Sequence, residues 1–309
     1  MNKTEDKSYL FLINPAAGNW RGLKVIDIIK KYLAQKRINH HIEISQSPGH
    51  ISELVKKFSK HFTHLISVGG DGTLNELING IDNTSINTIG LLPIGTGNDF
   101  ARNLNLNKDI NQNLDLIFNS NKHYSFDIGQ SIIYESGNSI KKSHRFINSL
   151  GIGFDALVAK INQKSKHLSG LISYLYAVIL ALIRRKDIDV EIELDSSTKL
   201  FGKKLLIAVG NGYTTGGGFY LTPKAKIDDN MLDICIIDSV STIKILSSLP
   251  KALFNKLDEV KEASLLKFTN AKIKIHEPAL IHTDGEIISE QAEKVEISIL
   301  KNELKIISN

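Results

Sequence analysis

The residues best suited to chemistry lie at 64–77, His-Leu-Ile-Ser-Val-Gly-Gly-Asp-Gly-Thr-Leu-Asn-Glu-Leu. Leu65 to Val68 form a short apolar run with a β-branched end, which suits a buried strand. Gly69, Gly70 and Gly72 interrupt it, and Thr73 can cap a helix that starts near Leu74. A strand that turns through glycines into a helix aims backbone N–H groups at one point. That point favours an anion, above all a phosphate. Asp71 stands in the middle of the turn. A carboxylate repels phosphates unless a cation lies between, so the pattern implies Mg²⁺ as well as a nucleotide. The plain alternative is a glycine turn with a surface aspartate. A second apolar run, 89–92, leads into Pro93-Ile94-Gly95-Thr96-Gly97-Asn98-Asp99-Phe100-Ala101-Arg102. Two glycine turns leaving adjacent strand ends build a crevice of the kind in which α/β proteins bind ligands. Neither turn is a Walker A loop or a dinucleotide fingerprint.

These two motifs together resemble the diacylglycerol kinase catalytic-domain family, which includes bacterial soluble lipid kinases and the sphingosine and ceramide kinases. The first motif is shared with NAD kinases and phosphofructokinases; the second singles out the lipid kinases. The resemblance runs over nearly the whole chain. It implies transfer of the ATP γ-phosphate to the hydroxyl of diacylglycerol or a related lipid alcohol, with ATP and Mg²⁺ as cofactors. It implies nucleotide contacts from Asn14, Pro15, Ala16, Ala17 and Gly18, and from Ser45, where relatives keep a Thr. Further contacts are implied for Gly69, Gly70, Asp71, Gly72, Thr73, Leu74, Asn75 and Glu76, and for Gly95, Thr96, Asn98 and Asp99. After the first loop relatives place a Lys or a second Gly, whereas this chain has Asn19-Trp20-Arg21-Gly22. Arg21 is the candidate phosphate contact there, with a solvated surface charge as the other reading.

The segment Thr222–Asp233 resembles a family motif that holds a structural Mg²⁺. The resemblance gives Asp229 a side-chain ligand role and Lys226 and Met231 backbone-carbonyl roles. Asn230 stands where relatives have Gly, and Asn also tolerates a left-handed turn. Asp284-Gly285-Glu286 resembles the family's Asp-Gly-Glu. With Asp71 it completes the expected catalytic set, and either Asp284 or Glu286 serves as the base for the acceptor hydroxyl. Asp284 is favoured, because a short side chain on a turn is held more firmly.

The elements that position these residues follow from pattern. Strand 9–13, helix 25–33, strand 41–45, helix 51–62 and strand 65–68 alternate as in a parallel sheet with covering helices. After a short helix at 114–119 the grammar changes to successive strands, including a hairpin around 135–138 and two final strands at 295–300 and 304–307. The expected fold is α/β with two domains. Residues 1–127 form a doubly wound nucleotide-binding domain to which the tail 291–309 returns. Residues 128–290 form an antiparallel β-sandwich-like lipid domain of the NAD kinase/diacylglycerol kinase type. The most apolar run, 171–183, is too short to span a bilayer. It reads as a buried or interface helix, or as a helix lining the lipid's way in, with Arg184-Arg185-Lys186 near anionic headgroups.

Composition sets the remaining bounds. A chain of 309 residues, 42% hydrophobic, has room for two cores. Its one cysteine, Cys235, excludes an intrachain disulfide, and the charged N-terminus lacks the apolar stretch of a signal peptide. The expected location is cytoplasmic, with peripheral contact at the inner face of the membrane. A net charge of +5 with interspersed signs gives weak support for a membrane visitor and poor support for nucleic-acid binding. The expected partners are therefore ATP and a lipid at the membrane surface, with no nucleic acid; a homodimer is compatible with this reading. Two rivals remain: an NAD-kinase-like enzyme, and a lipid- or nucleotide-binding module without catalysis. The 93–102 loop argues against the first, and retention of Asp71, Asp229, Asp284 and Glu286 against the second.

Overall fold

The computed structural model describes residues 7–82, 87–120, 122–135, 140–164 and 170–308. It divides into two units, Met1–Phe126 with Glu303–Asn309, and Asp127–Asn302.

The first unit runs β1 (Tyr9–Ile13), α1 (Ala17–Lys36), β2 (His40–Ile44), α2 (His50–Phe58), β3 (His64–Gly69), α3 (Asp71–Gly80), β4 (Thr88–Pro93), α4 (Asp99–Asn103) and α5 (Ile110–Asn119). All four strands are parallel, in the order β4-β3-β1-β2. Every residue of β1 is buried, as expected of an apolar strand covered by helices on both faces. Val25, Ile29 and Leu33 of α1 supply one of those faces. The chain moves from β1 to β2 on one side and returns to β3 on the other, so the order reverses beside β1. In open parallel sheets such a switch point, outside the carboxyl ends of the strands, is where ligands bind. Residues from the far end of the chain pair parallel to β4, with Lys305 opposite Thr88 and Ile306 opposite Ile89.

The helix expected over 51–62 stops at Phe58 and continues as a 3₁₀ turn, Ser59–His61. The side-chain amide of Asn87 explains the stop, because it donates to the carbonyls of Ser59 and Phe62 that a longer helix would use.

The second unit contains, from Asp127 onward, β5 (His123–Glu135), then β6 (Ile140–Phe146), β7 (Ser149–Gly153), α6 (Phe154–Lys164), α7 (Gly170–Ile183), β8 (Ile188–Leu194) and β9 (Thr198–Gly210). It continues with β10 (Leu232–Asp238), α8 (Thr242–Leu253), β11 (Ala263–Phe268), β12 (Asn270–Thr283) and, up to Asn302, β13 (Glu286–Ile307), whose last residues belong to the first unit. These strands pair antiparallel in the order β11-β10-β9-β7-β12-β13, with β8 against β9 and β12 and β5 against β6; β5 also pairs with β13. The residues that would turn β5 into β6, 136–139, lie outside the described residues. One sheet face buries Ile188, Val190, Ile192 and Leu194, the alternate residues of β8. A second core lies where α6, α7 and α8 cover other strands.

Three features depart from the sequence reading. Helices α6 and α8 were not expected. Of these, α8 carried a readable start signal, since Ser241 caps it by accepting the Lys244 N–H. The two strands expected at the end are one strand, β13, which passes through Asn302 at φ 52° without ending. Among the described residues, no helix is long and apolar enough to cross a membrane.

Candidate active site

Three loops at the carboxyl ends of β1, β3 and β4 crowd together in the first unit. At Gly18 (φ +61°) a Cβ would lie 1.9 Å from the Ile94 carbonyl oxygen, so the first loop rests on the third. A Cβ on Gly95 would lie 2.5 Å from the Gly70 Cα, so the second and third loops touch backbone to backbone. Asn14 joins the first loop to the second: its Nδ2 donates to Thr73 Oγ1 at 3.2 Å and its Oδ1 accepts from Ala16 N. Gly70, the N-cap of α3, offers no side chain to the first N–H groups of that helix, which an anion can then engage. Beside it the Asn98 residue is left-handed (φ 51°). Its Oδ1 is buried and, among the described residues, has no hydrogen-bond partner. Crowded glycines and an uncapped helix start suit a polyphosphate, whereas the Asn98 oxygen, an acceptor, suits a hydroxyl or amino donor or a cation. Gly95→Ala should force the loops apart and weaken ATP binding by about tenfold or more, of the order a misplaced contact costs. A nucleotide titration checks this, and unchanged affinity would show that the contact is dispensable.

The other residues expected near the nucleotide divide by what they already hold. Pro15, Ala16, Ala17 and Gly72 lie in these loops, and Thr96 is exposed on the third. Arg21 is exposed at the foot of α1, directly after three left-handed residues, Gly18, Asn19 and Trp20. Ser45 is buried after β2, with its N–H on the Ile13 carbonyl. Leu74 and Asn75 are buried in α3, and Asn75 accepts from the Asn79 amide. The Asp99 carboxylate pairs with Arg102 at 3.2 Å. Two acidic groups turn out to bind backbone. Asp71 accepts from the N–H groups of Asp99 and Phe100, both at 3.0 Å, and so fastens the third loop to the second. Glu76 accepts from Gly49 N and Ile51 N and caps α2. A nucleotide contact through the Glu76 carboxylate would have to displace that cap.

In the second unit Asp284 and Gly285, at φ 48° and 87°, make the two-residue turn between β12 and β13, the conformation Asp-Gly favours. The Asp284 carboxylate accepts three backbone N–H groups, from Ile147, Asn148 and Ser149, at 2.8–2.9 Å. Those bonds must be surrendered or shared before it takes a proton. Glu286 is exposed and receives the Gln163 amide at 2.9 Å on Oε2. Close by along the chain contacts, Asn148 donates to the Thr214 carbonyl, while Asn211 Oδ1 and Thr214 Oγ1 are buried with no partner among the described residues. Sequence reasoning did not single out Asn148, Asn211 or Thr214 as site residues. Unsatisfied buried oxygens of this kind mark places that await a ligand or water.

At the Asp229 turn, Oδ1 accepts from Met231 N at 3.2 Å and Oδ2 lies 2.9 Å from Lys267 Nζ. The same ammonium lies 2.7 Å from Asp233 Oδ2. The donor set expected for Mg²⁺, Asp229 with the carbonyls of Lys226 and Met231, therefore already contains a cation. It does not fit a divalent ion without displacing Lys267.

The second unit also holds a pocket that opens to solvent. Its walls are mostly apolar side chains of α6, α7, α8, β9 and β10, among them Val158, Val178, Leu206 and Leu249, with Lys244, Ser248 and Glu262 also lining it. One buried carboxylate, Asp155, reaches it. Asp155 accepts from Tyr174 Oη at 2.9 Å and faces His282 Nε2 at 3.0 Å. Since His282 Nδ1 accepts the Gly285 N–H, its proton sits on Nε2 and is donated to Asp155. The pair thus links the cavity to the Asp284-Gly285 turn.

Residues 8–131 match the diacylglycerol kinase catalytic domain, and residues 148–308 match the YegS C-terminal NAD kinase β sandwich-like domain. The chain belongs to the family of the YegS C-terminal NAD kinase β sandwich-like domain, with a diacylglycerol kinase catalytic domain before it. A diacylglycerol kinase of Bacillus subtilis is 28% identical over 289 residues, covering 89% of this chain and 88% of that one. The crystal structure of a diacylglycerol kinase from Bacillus anthracis shares the fold, with a TM-score of 0.72, 24% identity and 100% and 98% of the two chains covered. Yeast NADH kinase complexed with NADH is a more distant likeness, with a TM-score of 0.57, 11% identity and 99% and 84% covered. This family member therefore has the expected fold class, an α/β first unit followed by a β-rich second unit, and it is a kinase.

Proposed function

We propose that the protein is an ATP-dependent lipid kinase whose acceptor is the hydroxyl of diacylglycerol or a related lipid alcohol. The observation that carries this reading is the pocket in the second unit, lined mostly by apolar side chains. A mostly apolar pocket suits acyl chains better than it suits a charged dinucleotide. Helix α7 adds support. Ile172, Tyr176, Ile179 and Ile183 recur at helical spacing and stay between 46% and 81% exposed, and Arg184 and Lys186 follow at the end of the helix. An apolar stripe beside basic residues suits contact with an anionic lipid surface.

In this reading Mg·ATP is a substrate held by the three glycine loops, with N–H groups at the start of α3 on its phosphates. Phosphoryl transfer needs mainly positioning and charge neutralisation. The lipid hydroxyl oxygen attacks the γ-phosphorus, the bond to the ADP oxygen breaks, and the hydroxyl proton passes to a carboxylate. Glu286 takes that proton, because three backbone bonds occupy Asp284. Asp284 keeps the turn, and hence Glu286, in place.

The test is purified protein with labelled ATP, Mg²⁺ and micelles of diacylglycerol, a sphingoid base or phosphatidylglycerol, with NAD as a control acceptor. Label is expected in the lipid phase. Leu249→Trp, at the cavity wall, is expected to raise KM for long-chain lipid about tenfold and leave KM for ATP unchanged, a fair loss for blocking part of an apolar site. Label on NAD and none on any lipid would overturn the proposal.

A further inference from the structure

Strand pairing fixes Lys267 at the Asp229 turn. In the ladder between β10 and β11, Lys267 stands directly opposite Asp233, and from there its ammonium reaches both Asp233 and Asp229. The turn is otherwise built from backbone. Asp229 Oδ1 closes onto Met231 N, and Asn230, left-handed at φ 61°, sends its N–H to the buried Asp127 carboxylate at 2.7 Å. Two carboxylates brought this close require a positive partner, and the ammonium lies within hydrogen-bond distance of both. We propose that in this chain Lys267 takes the place of a divalent cation at the Asp229 turn, so that the turn is held without metal.

The groups facing Lys267 agree with this. Lys267 Nζ lies 2.9 Å from Asp229 Oδ2 and 2.7 Å from Asp233 Oδ2, so one ammonium serves both carboxylates. A dication bound through Asp229 Oδ2 would stand beside the ammonium that already lies 2.9 Å from that oxygen, and the two would repel. The protein's need for Mg²⁺ is then confined to the ion that arrives with the nucleotide. Removing the ammonium leaves two uncompensated carboxylates, and a divalent ion becomes the natural replacement.

The experiment is thermal unfolding of the nucleotide-free full chain, with Mg²⁺ added or with chelator. The wild-type melting temperature should move by less than about 1 °C, within the response expected without specific binding. Lys267→Met should melt lower in chelator and gain about 3 °C at a Mg²⁺ concentration tenfold above its dissociation constant. Lys267→Arg keeps the charge and should behave as the wild type. Should Lys267→Met not fold, Mn²⁺ supplies a second readout: the wild type should show no tightly bound Mn²⁺ by electron paramagnetic resonance. A wild-type rise of several degrees with Mg²⁺ that Asp229→Asn abolishes would overturn the proposal. So would a bound Mn²⁺ ion that the same substitution removes, or a folded Lys267→Met indifferent to Mg²⁺.

Discussion

Glu286→Gln is expected to lower phosphoryl transfer by about 10²–10⁴-fold, the contribution of one positioned general base, with nucleotide affinity and melting temperature close to those of the wild type. The side chain is exposed, and glutamine keeps its shape and its ability to accept from Gln163. What disappears is the capacity to take the acceptor's proton. Asp284→Asn should fail in a different way. Asparagine can offer one oxygen to the N–H groups of Asn148 and Ser149, but its NH₂ then faces the Ile147 N–H. The expected loss is about 2–4 kcal/mol of stability, the range for breaking a buried charged hydrogen-bond network. Turnover then falls only as far as the turn is displaced. Steady-state kinetics at saturating lipid, with melting curves for both variants, separate the roles. Wild-type turnover in Glu286→Gln would show that the proton leaves by another route.

Asp71→Asn should reduce activity by at least about 100-fold, as expected when a group that organises transition-state charge is lost. It should also lower stability by about 1–3 kcal/mol, because one of two charge-assisted bonds is lost. Sequence reasoning expects the first effect and not the second, since a turn aspartate contributes little to a core. The carboxylate, however, is the clasp between the second and third loops, accepting from Asp99 N and Phe100 N. Its loss should therefore raise KM for ATP as well as lower kcat. Measuring both constants alongside a melting curve checks the claim. Near-normal turnover in a variant of normal melting temperature would remove Asp71 from the site altogether.

The loops themselves were legible, because glycine at a strand end followed by a helix leaves few conformations. The Asp-Gly turn was legible for the same reason. The duties of the acidic residues were not. Asp71 and Glu76 spend their oxygens on N–H groups 25 to 29 positions away in sequence, and Asp284 on groups 135 to 137 positions away. No local pattern encodes such partners. They follow from the register of strands and from where each helix begins. Lys267 was invisible for a related reason, since only the β10–β11 ladder brings it to Asp229. Helix α8 went unnoticed because Pro250 sits inside it. The left-handed run Gly18, Asn19 and Trp20 was hidden because asparagine and tryptophan rarely adopt that conformation in succession.

The pairing of Lys305 and Ile306 with β4 bears on how the chain is made. Strands β1 to β4 leave the ribosome first, yet the edge of β4 waits for about 210 further residues before its neighbour exists. At ordinary synthesis rates that interval is roughly 10–40 s, far longer than secondary structure needs to form. Throughout it the nascent nucleotide unit shows an uncapped parallel edge, the kind of surface on which chaperones act and aggregates start. A protease that nicks the chain near residue 300 would therefore cripple the half of the protein built from its first hundred residues.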